Sequence, residues 1–232
     1  MVVLIHGGFH NKKCWGKVVD LLTENGENVV AVSVPGHTCY SVDELKDLNI
    51  QKCVNGIISQ IPDNGEKIVL VLHSMAGIFL YNLYKYIGYD RIERIICISC
   101  CIPENGETML ESLNGLIYYF AKFCVKRIKV VNGLPKCIAK CFFGNGMNKK
   151  QYESLYQSLW GEGTNLLKER IEYCNINSDI TWIYTINDKA ISPKMQDVYI
   201  HNLKKVNQII KIDAPHDAMI SNSEDIAKII LN

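Results

Sequence analysis

Three side chains of this 232-residue chain, Ser74, Asp188 and His216, could together perform nucleophilic acyl chemistry. A serine hydroxyl is a weak nucleophile until a base takes its proton. An imidazole can be that base, provided a carboxylate fixes its orientation and steadies its charge. Each of the three follows a stretch that reads as a β-strand. Their order along the chain is Ser, Asp, His, one of the orders in which such triads occur. In this reading His216 takes the proton of Ser74, and Asp188 orients the ring.

The stretch that must position Ser74 is KIVLVLHSMAG, residues 67–77. Residues 68–72 form an unbroken apolar run, preceded by the turn residues Pro62-Asp63-Asn64-Gly65-Glu66. That pattern predicts a strand buried on both faces of a parallel sheet. From Ala76 to Tyr84 the apolar spacing becomes helical. Ser74 therefore falls at a sharp strand-to-helix turn, where the first N–H groups of a helix are unpaired and its dipole favours negative charge. The motif G-x-S-x-G usual at such turns is departed from twice, at Leu72 and Ala76. Ala76 is a mild change. Leu72 needs room that a glycine would not, which leaves two accounts of it, packed core or strain against the turn.

Runs at 2–5, 28–34, 68–72, 92–99, 180–186 and 208–212 read as strands. Helical patterns lie between them at 14–25, 42–61, 75–86 and 193–203, and a last one spans 221–231. Ser221 with Glu224 reads as a capping-box start for it. The alternation predicts an α/β fold, a mostly parallel sheet with helices on both faces. It lapses over 103–178, where helical patterns at 107–123, 133–142 and 149–173 show no convincing strand. That segment is too long for a loop and reads as an inserted helical cap. The expected organisation is a core of 1–102 and 179–232, with the cap at 103–178 over the C-terminal strand edge, where such sheets bind ligands.

The other parts of an acyl-transfer site follow from this frame. Two N–H donors should face the developing oxyanion. Met75, just after the serine, supplies one. The loop His6-Gly7-Gly8-Phe9 supplies the other, from Gly8 or Phe9, with Gly8 favoured because glycine lets the backbone come close. In the cap, Tyr118, Tyr119, Phe120, Phe123 and Trp160 could line an apolar pocket or pack the cap's own core. The candidate substrate-binding residues are Phe9, His73, Tyr119, Phe123 and Trp160, although the ring of His73 is expected to point away from the serine. Glu104, after the fourth strand, is an alternative acid. His37 sits in a Pro-Gly-His turn, His201 lies in a helix, and His6 is read as bracing its loop.

Composition narrows the class. Apolar residues make up 48% and charged residues 21%, ordinary for a globular domain. A net charge of +1 gives no case for nucleic acid or for a membrane partner. No apolar run approaches the roughly 20 residues of a membrane span. The ten cysteines, without an export signal, are expected as free thiols in the cytoplasm. Cys137 and Cys141 lack a second ligand pair nearby, so no metal and no cofactor is expected. The expected partners are a small-molecule ester and, at most, a second copy of the chain.

Taken together, HGGFH at 6–10, KIVLVLHSMAG, ICISCCIPENGE, TINDKAISP and APHDAMISNSEDIA resemble the α/β-hydrolase superfamily. The likeness covers nearly the whole chain and is greatest to the branch of plant methylesterases and hydroxynitrile lyases. It implies the α/β-hydrolase fold with a helical cap, a sheet that starts at the strand before the His-Gly loop, and a cofactor-free serine mechanism. It also implies that the lyases carry threonine where this chain has Gly7, and lysine where it has Asp217. A cyanide-handling site wants a positive charge there, so hydrolysis of a small, largely apolar carboxylic ester is expected. A lyase-like activity on the same triad, or a small-molecule receptor or signalling protein with little turnover, are the alternatives.

Overall fold

The computed structural model describes residues 1–38 and 42–232; Cys39 lies outside the described residues. Six parallel strands form the central sheet: β1 (Val2–Ile5), β2 (Val29–Val32), β3 (Ile68–His73), β4 (Ile92–Ile98) and, beyond the cap, Asp179–Thr185 and Gln208–Ile212. The cap contributes a pair of its own, β5 (Val130–Val131) antiparallel to β6 (Glu162–Gly163), so the last two sheet strands are β7 and β8. Their order is β2-β1-β3-β4-β7-β8. The chain moves outward from β1 to β2, then returns across β1 to β3. That reversal opens a crevice at the C-terminal ends of β1 and β3, the place where open parallel sheets bind ligands.

Helices cover both faces. α1 (Gly16–Glu24) lies on one side, while α2 (Ile50–Ile58) and α3 (Leu80–Ile87) lie on the other. The cap holds α4 (Met109–Ser112), α5 (Gly115–Arg127), α6 (Lys136–Phe142) and α7 (Lys149–Ser158). After it come α8 (Pro193–Asn202), α9 (Ala218–Ser221) and α10 (Ser223–Leu231). Leu4, Val71, Ile96 and Ile183 point to the α1 side, where Trp15, Leu22 and Ile226 meet them. Val3, Leu70, Leu72, Ile95 and Trp182 point to the other side, against Val54, Ile57, Phe79 and Tyr199. This two-sided burial is why the strands read as continuous apolar runs.

Several expected elements are cut shorter, each for a local reason. The helix expected at 42–61 is a 3-10 turn, Asp43–Asp47, followed by α2, because Asn49 caps α2 by accepting from Lys52 N–H. The helix expected at 107–123 splits at Asn114-Gly115, where Gly115 takes φ 61°. The pattern at 149–173 is helical only to Ser158, then gives way to β6 and a 3-10 turn, Thr164–Lys168. Ser221 does not cap the final helix: it ends α9, and its hydroxyl donates to Asn222 Oδ1 at 2.7 Å. The cap also contains a strand pair where none was expected.

Leu72 is fully buried within the core on the α2–α3 side and pairs across the sheet with Ile5 and Cys97. The tight approach that a small residue normally allows falls elsewhere. A Cβ on Gly77 would collide with the Cys101 carbonyl, and one on Gly7 would come within 2.7 Å of Ser74 Cβ. Of the two accounts of Leu72, packing is the one with contacts behind it. Leu72→Ala should lower unfolding free energy by about 2–5 kcal/mol in urea melts, and a neutral result would mean that the site collapses around the shorter side chain.

Candidate active site

Ser74 follows the last residue of β3 and holds φ 53°, the left-handed region that side chains other than glycine seldom adopt. Two neighbours hold it there. Its carbonyl accepts from Cys101 N–H at 2.8 Å, and Gly7 leaves space beside its Cβ. The turn projects the hydroxyl toward the loops after β7 and β8, and the 3-10 turn Ser74–Phe79 starts directly beneath it.

His216, in the loop between β8 and α9, places Nε2 at 2.8 Å from Ser74 Oγ. Its Nδ1 lies 2.7 Å from Asp188 Oδ2. Asp188 is buried and held at both oxygens. Oδ1 accepts from the N–H groups of Ala190 and Ile191 at 2.8 Å, and Oδ2 accepts from Thr185 Oγ1 at 2.9 Å. A carboxylate can only accept, so Nδ1 carries the proton and Nε2 turns its lone pair to the serine. Burial works against the imidazolium, but the charges of Asp188 and Asp217 and the Asp188 bond outweigh it and raise the His216 pKa above its ordinary value. The structure thus brings Ser74, His216 and Asp188 into one chain of hydrogen bonds. Glu104 stands exposed and bonds with Glu107, and His201 is exposed on α8.

The sequence singled out His6, His73 and Asp217 behind this chain but not the partners they meet. Asp217, fully buried, lies 3.0 Å from His10 Nε2 through Oδ2 and 3.6 Å from His73 Nε2 through Oδ1. His10 Nδ1 in turn meets the Gly8 carbonyl at 2.7 Å. Both partners of His10 are acceptors, so both bonds form together only when the ring donates from each nitrogen. His73 donates from Nε2 to the His216 carbonyl at 3.1 Å, and burial together with the His216 charge lowers its pKa to about 3. Burial and the charge of His37 lower the pKa of His6 as well; its Nδ1 meets the Gly7 carbonyl at 2.9 Å while Nε2 accepts from Val34 N–H.

A second buried pair comes from the cap. Glu162, at the start of β6, lies 3.1 Å from His37 Nε2 and also accepts the Phe9 N–H at 2.9 Å. Burial disfavours the His37 imidazolium, yet the Glu162 charge and hydrogen bond win and raise its pKa. The Gly8 carbonyl and the Phe9 N–H belong to one peptide unit. That peptide is therefore gripped from both ends, by His10–Asp217 in the core and by Glu162–His37 across the cap boundary. Phe9 also holds a left-handed φ of 61°. Phe9 N–H is engaged by Glu162, and Gly8 and Met75 lie beside Ser74 at the base of the pocket.

Above the serine is an apolar pocket enclosing about 750 Å³ of empty space, part of it open to solvent. Gly8, Phe9, Ser74, Met75 and His216 form its base, and Met109, Leu113, Ile117, Phe120, Leu134, Phe142 and Phe143 are among its walls. Phe143 stacks on the His216 ring at 5.5 Å between centroids. Of the expected pocket residues, Phe9 and Phe120 line it. Tyr119 and Phe123 face outward from α5, 68% and 62% exposed, because Ile117, Phe120, Ala121 and Cys124 take the inner side of that helix. Trp160 braces the loops instead, donating from its backbone N–H to the Phe9 carbonyl at 2.7 Å and from Nε1 to the Gly36 carbonyl at 3.0 Å. His73 lies behind the serine, away from the pocket.

Among the described residues one group, His73, His216 and Asp217, offers ligand atoms within 4.8 Å of one another. It does not fit a metal, since both nitrogens of His216 are already committed to Ser74 and Asp188.

A model of the "Alpha/beta hydrolase family" matches residues 2–124, more than half of the chain. The chain belongs to the alpha/beta hydrolase family. Among curated relatives, Methylesterase 7 of Arabidopsis thaliana is 31% identical over 105 residues, 44% of this chain and 40% of that protein. Methyl jasmonate esterase 1 of Vitis vinifera is 31% identical over 83 residues, 33% of this chain and 30% of its own length. The matched stretch thus spans less than half of either relative. In three dimensions, an extracellular alpha/beta-hydrolase from a Paenibacillus species aligns with a TM-score of 0.86 at 17% identity, over 99% of this chain and 97% of that one. A methylesterase from Arabidopsis aligns at 0.77 and 17%, over 99% and 96%. These likenesses carry the fold of the whole chain, cap included.

Glu162→Ala would leave the Phe9 N–H and the His37 ring without their acceptor. Amide exchange at Phe9, followed by NMR, should accelerate by about tenfold or more while exchange in β3 stays unchanged. Unaltered exchange at Phe9 would mean that the cap does not hold this peptide.

Proposed function

We propose that this protein is a carboxylesterase that cleaves a small, largely apolar ester through an acyl-enzyme on Ser74. The observation that carries the reading is the Ser74–His216–Asp188 chain, with contacts of 2.8 and 2.7 Å, at the base of an apolar pocket. Supporting it are the family and the esterase names of its relatives.

The ester carbonyl enters above Ser74, with its apolar groups against Leu113, Ile117, Phe120 and Phe143. Ser74 Oγ attacks while His216 Nε2 takes its proton. The carbonyl oxygen becomes an oxyanion held by the N–H groups of Gly8 and Met75. The first donor lies on the Gly7–Gly8 peptide, whose carbonyl meets His6 Nδ1 at 2.9 Å and which adjoins the gripped Gly8–Phe9 peptide. His216 then gives its proton to the leaving alcohol, and a water, activated by the same ring, releases the acid. Throughout, the Asp188 carboxylate keeps the imidazole in one tautomer and balances its charge.

Asp217 bears on which chemistry this site favours. It sits next to His216 as a buried acid whose partners are His10 and His73. Its pKa is lowered, because the charges of those two rings and of His216, and the His10 bond, outweigh burial. A lyase that stabilises cyanide needs a cation near the base, and this position supplies an anion.

Ser74→Ala should abolish fluorophosphonate labelling and lower p-nitrophenyl butyrate turnover by roughly 10³-fold or more, with folding retained. A label that persists, or maps to another serine, refutes the nucleophile. The pH profile tests Asp217. Turnover needs neutral His216, so kcat/KM falls as pH drops through its raised pKa. The Asp217 charge is one cause of that rise, so Asp217→Asn should move the acid limb of the kcat/KM profile to lower pH. A limb that stays put or moves up would show that this charge is not felt at His216.

A further inference from the structure

One segment of the cap carries an unusual distribution of charge. Residues 113–150 contain eight of the chain's 25 cations (Lys122, Lys126, Arg127, Lys129, Lys136, Lys140, Lys149 and Lys150) and none of its 24 acids. This segment therefore carries +8, whereas the remainder, with 17 cations against 24 acids, carries −7. The overall charge of +1 conceals the division.

Apolar side chains stand in the same segment. On α5, Leu116, Tyr119 and Phe123 are 74%, 68% and 62% exposed, and Ile128, just past its end, is also exposed. Spacings of three and four residues put the first three on one helical stripe. Lys126 and Arg127 continue that stripe at three and four residues beyond Phe123. A wet helix face has no reason to present leucine and phenylalanine in line. The opposite side of the same helix, through Ile117, Phe120, Ala121 and Cys124, is a wall of the pocket over Ser74.

We propose that α5 and its basic surroundings dock the protein on an anionic lipid surface. The outer stripe enters the headgroup boundary, and the lysines and arginine face the lipid phosphates and carboxylates. Interfacial helices combine these features, an apolar stripe and a cationic flank. A second copy is a poorer occupant, because pairing along this stripe would set Lys126 and Arg127 against their own copies. An ester dissolved in the membrane would then meet the pocket through the helix that roofs it. Docking itself rests only on charge and exposure and stands whether or not the chain is an esterase.

Co-sedimentation of the full chain with phosphatidylcholine vesicles, with and without about 30% phosphatidylserine, tests it. Binding to the anionic vesicles should be about tenfold or more tighter than to the neutral ones, and should fall by a similar factor between about 50 and about 500 mM salt. Two double variants, Tyr119→Ser with Phe123→Ser and Lys126→Glu with Arg127→Glu, should each weaken it about tenfold while keeping the wild-type melting temperature. Because these positions are at the surface, at least one pair serves as the readout even if the other perturbs α5. Absent binding, equal binding to both vesicle types, or binding that neither pair weakens would overturn the proposal. So would salt-sensitive self-association, or retention by an acidic polypeptide or RNA, in place of vesicle binding.

Discussion

The site rests on the close approach of two chain segments at the ends of β1 and β3. Ser74 is held in a left-handed turn that a side chain adopts only at a cost, and Gly7 is the neighbour that makes room for it. Such strain persists when the surroundings over-determine it. Here they do so from three directions: the packed strand that ends at Leu72 and His73, the Cys101 N–H on the serine carbonyl, and the glycine loop alongside. Because β1 and β3 are neighbours only through the reversal in strand order, the site follows directly from the topology of the sheet.

Much of this was legible in the sequence, because its signals are local. Buried parallel strands announce themselves as short β-branched runs, and three loops after such runs gave Ser74, Asp188 and His216 in order. Both oxyanion candidates, Gly8 and Met75, flank the serine at the pocket base. What escaped was long-range or too short to have a period. β5 and β6 are two residues each, and Glu162 sits in Trp-Gly-Glu-Gly-Thr, which looks like a turn. The partner of His10 is 207 residues away and that of His37 is 125 residues away. Aromatic residues of α5 were assigned to the pocket by type. Helical phase divided them, since residues 117, 120, 121 and 124 face in, and 116, 119 and 123 face out. Net charge is limited in a similar way, as a sum cannot show where its parts lie.

The two buried acid–histidine pairs divide the labour. Burying a charge is expensive unless it is paired and hydrogen-bonded, and each of these pairs adds a backbone bond to the contact between its members. Asp217–His10 ties the loop after β1 to the loop that carries His216. Glu162–His37 ties that same loop to the cap and to the turn after β2. Polar groups in the core are here spent on orientation of a single peptide rather than on stability.

The grip of Trp160 and Glu162 on Phe9 has a consequence for how this molecule can diversify. A cap is often pictured as an exchangeable module, free to be swapped while the catalytic machinery beneath it stays intact. In this chain the boundary between the two cuts through the machinery. A foreign cap would bring its own pocket but not the carboxylate that Phe9 and His37 await, and would leave a buried N–H and a buried imidazole without their acceptor. Recombination between relatives at residues 103 and 178 should thus yield folded chains with a loosened loop after β1 unless positions 37 and 162 travel together. The pocket and the loop beneath it are inherited as one unit.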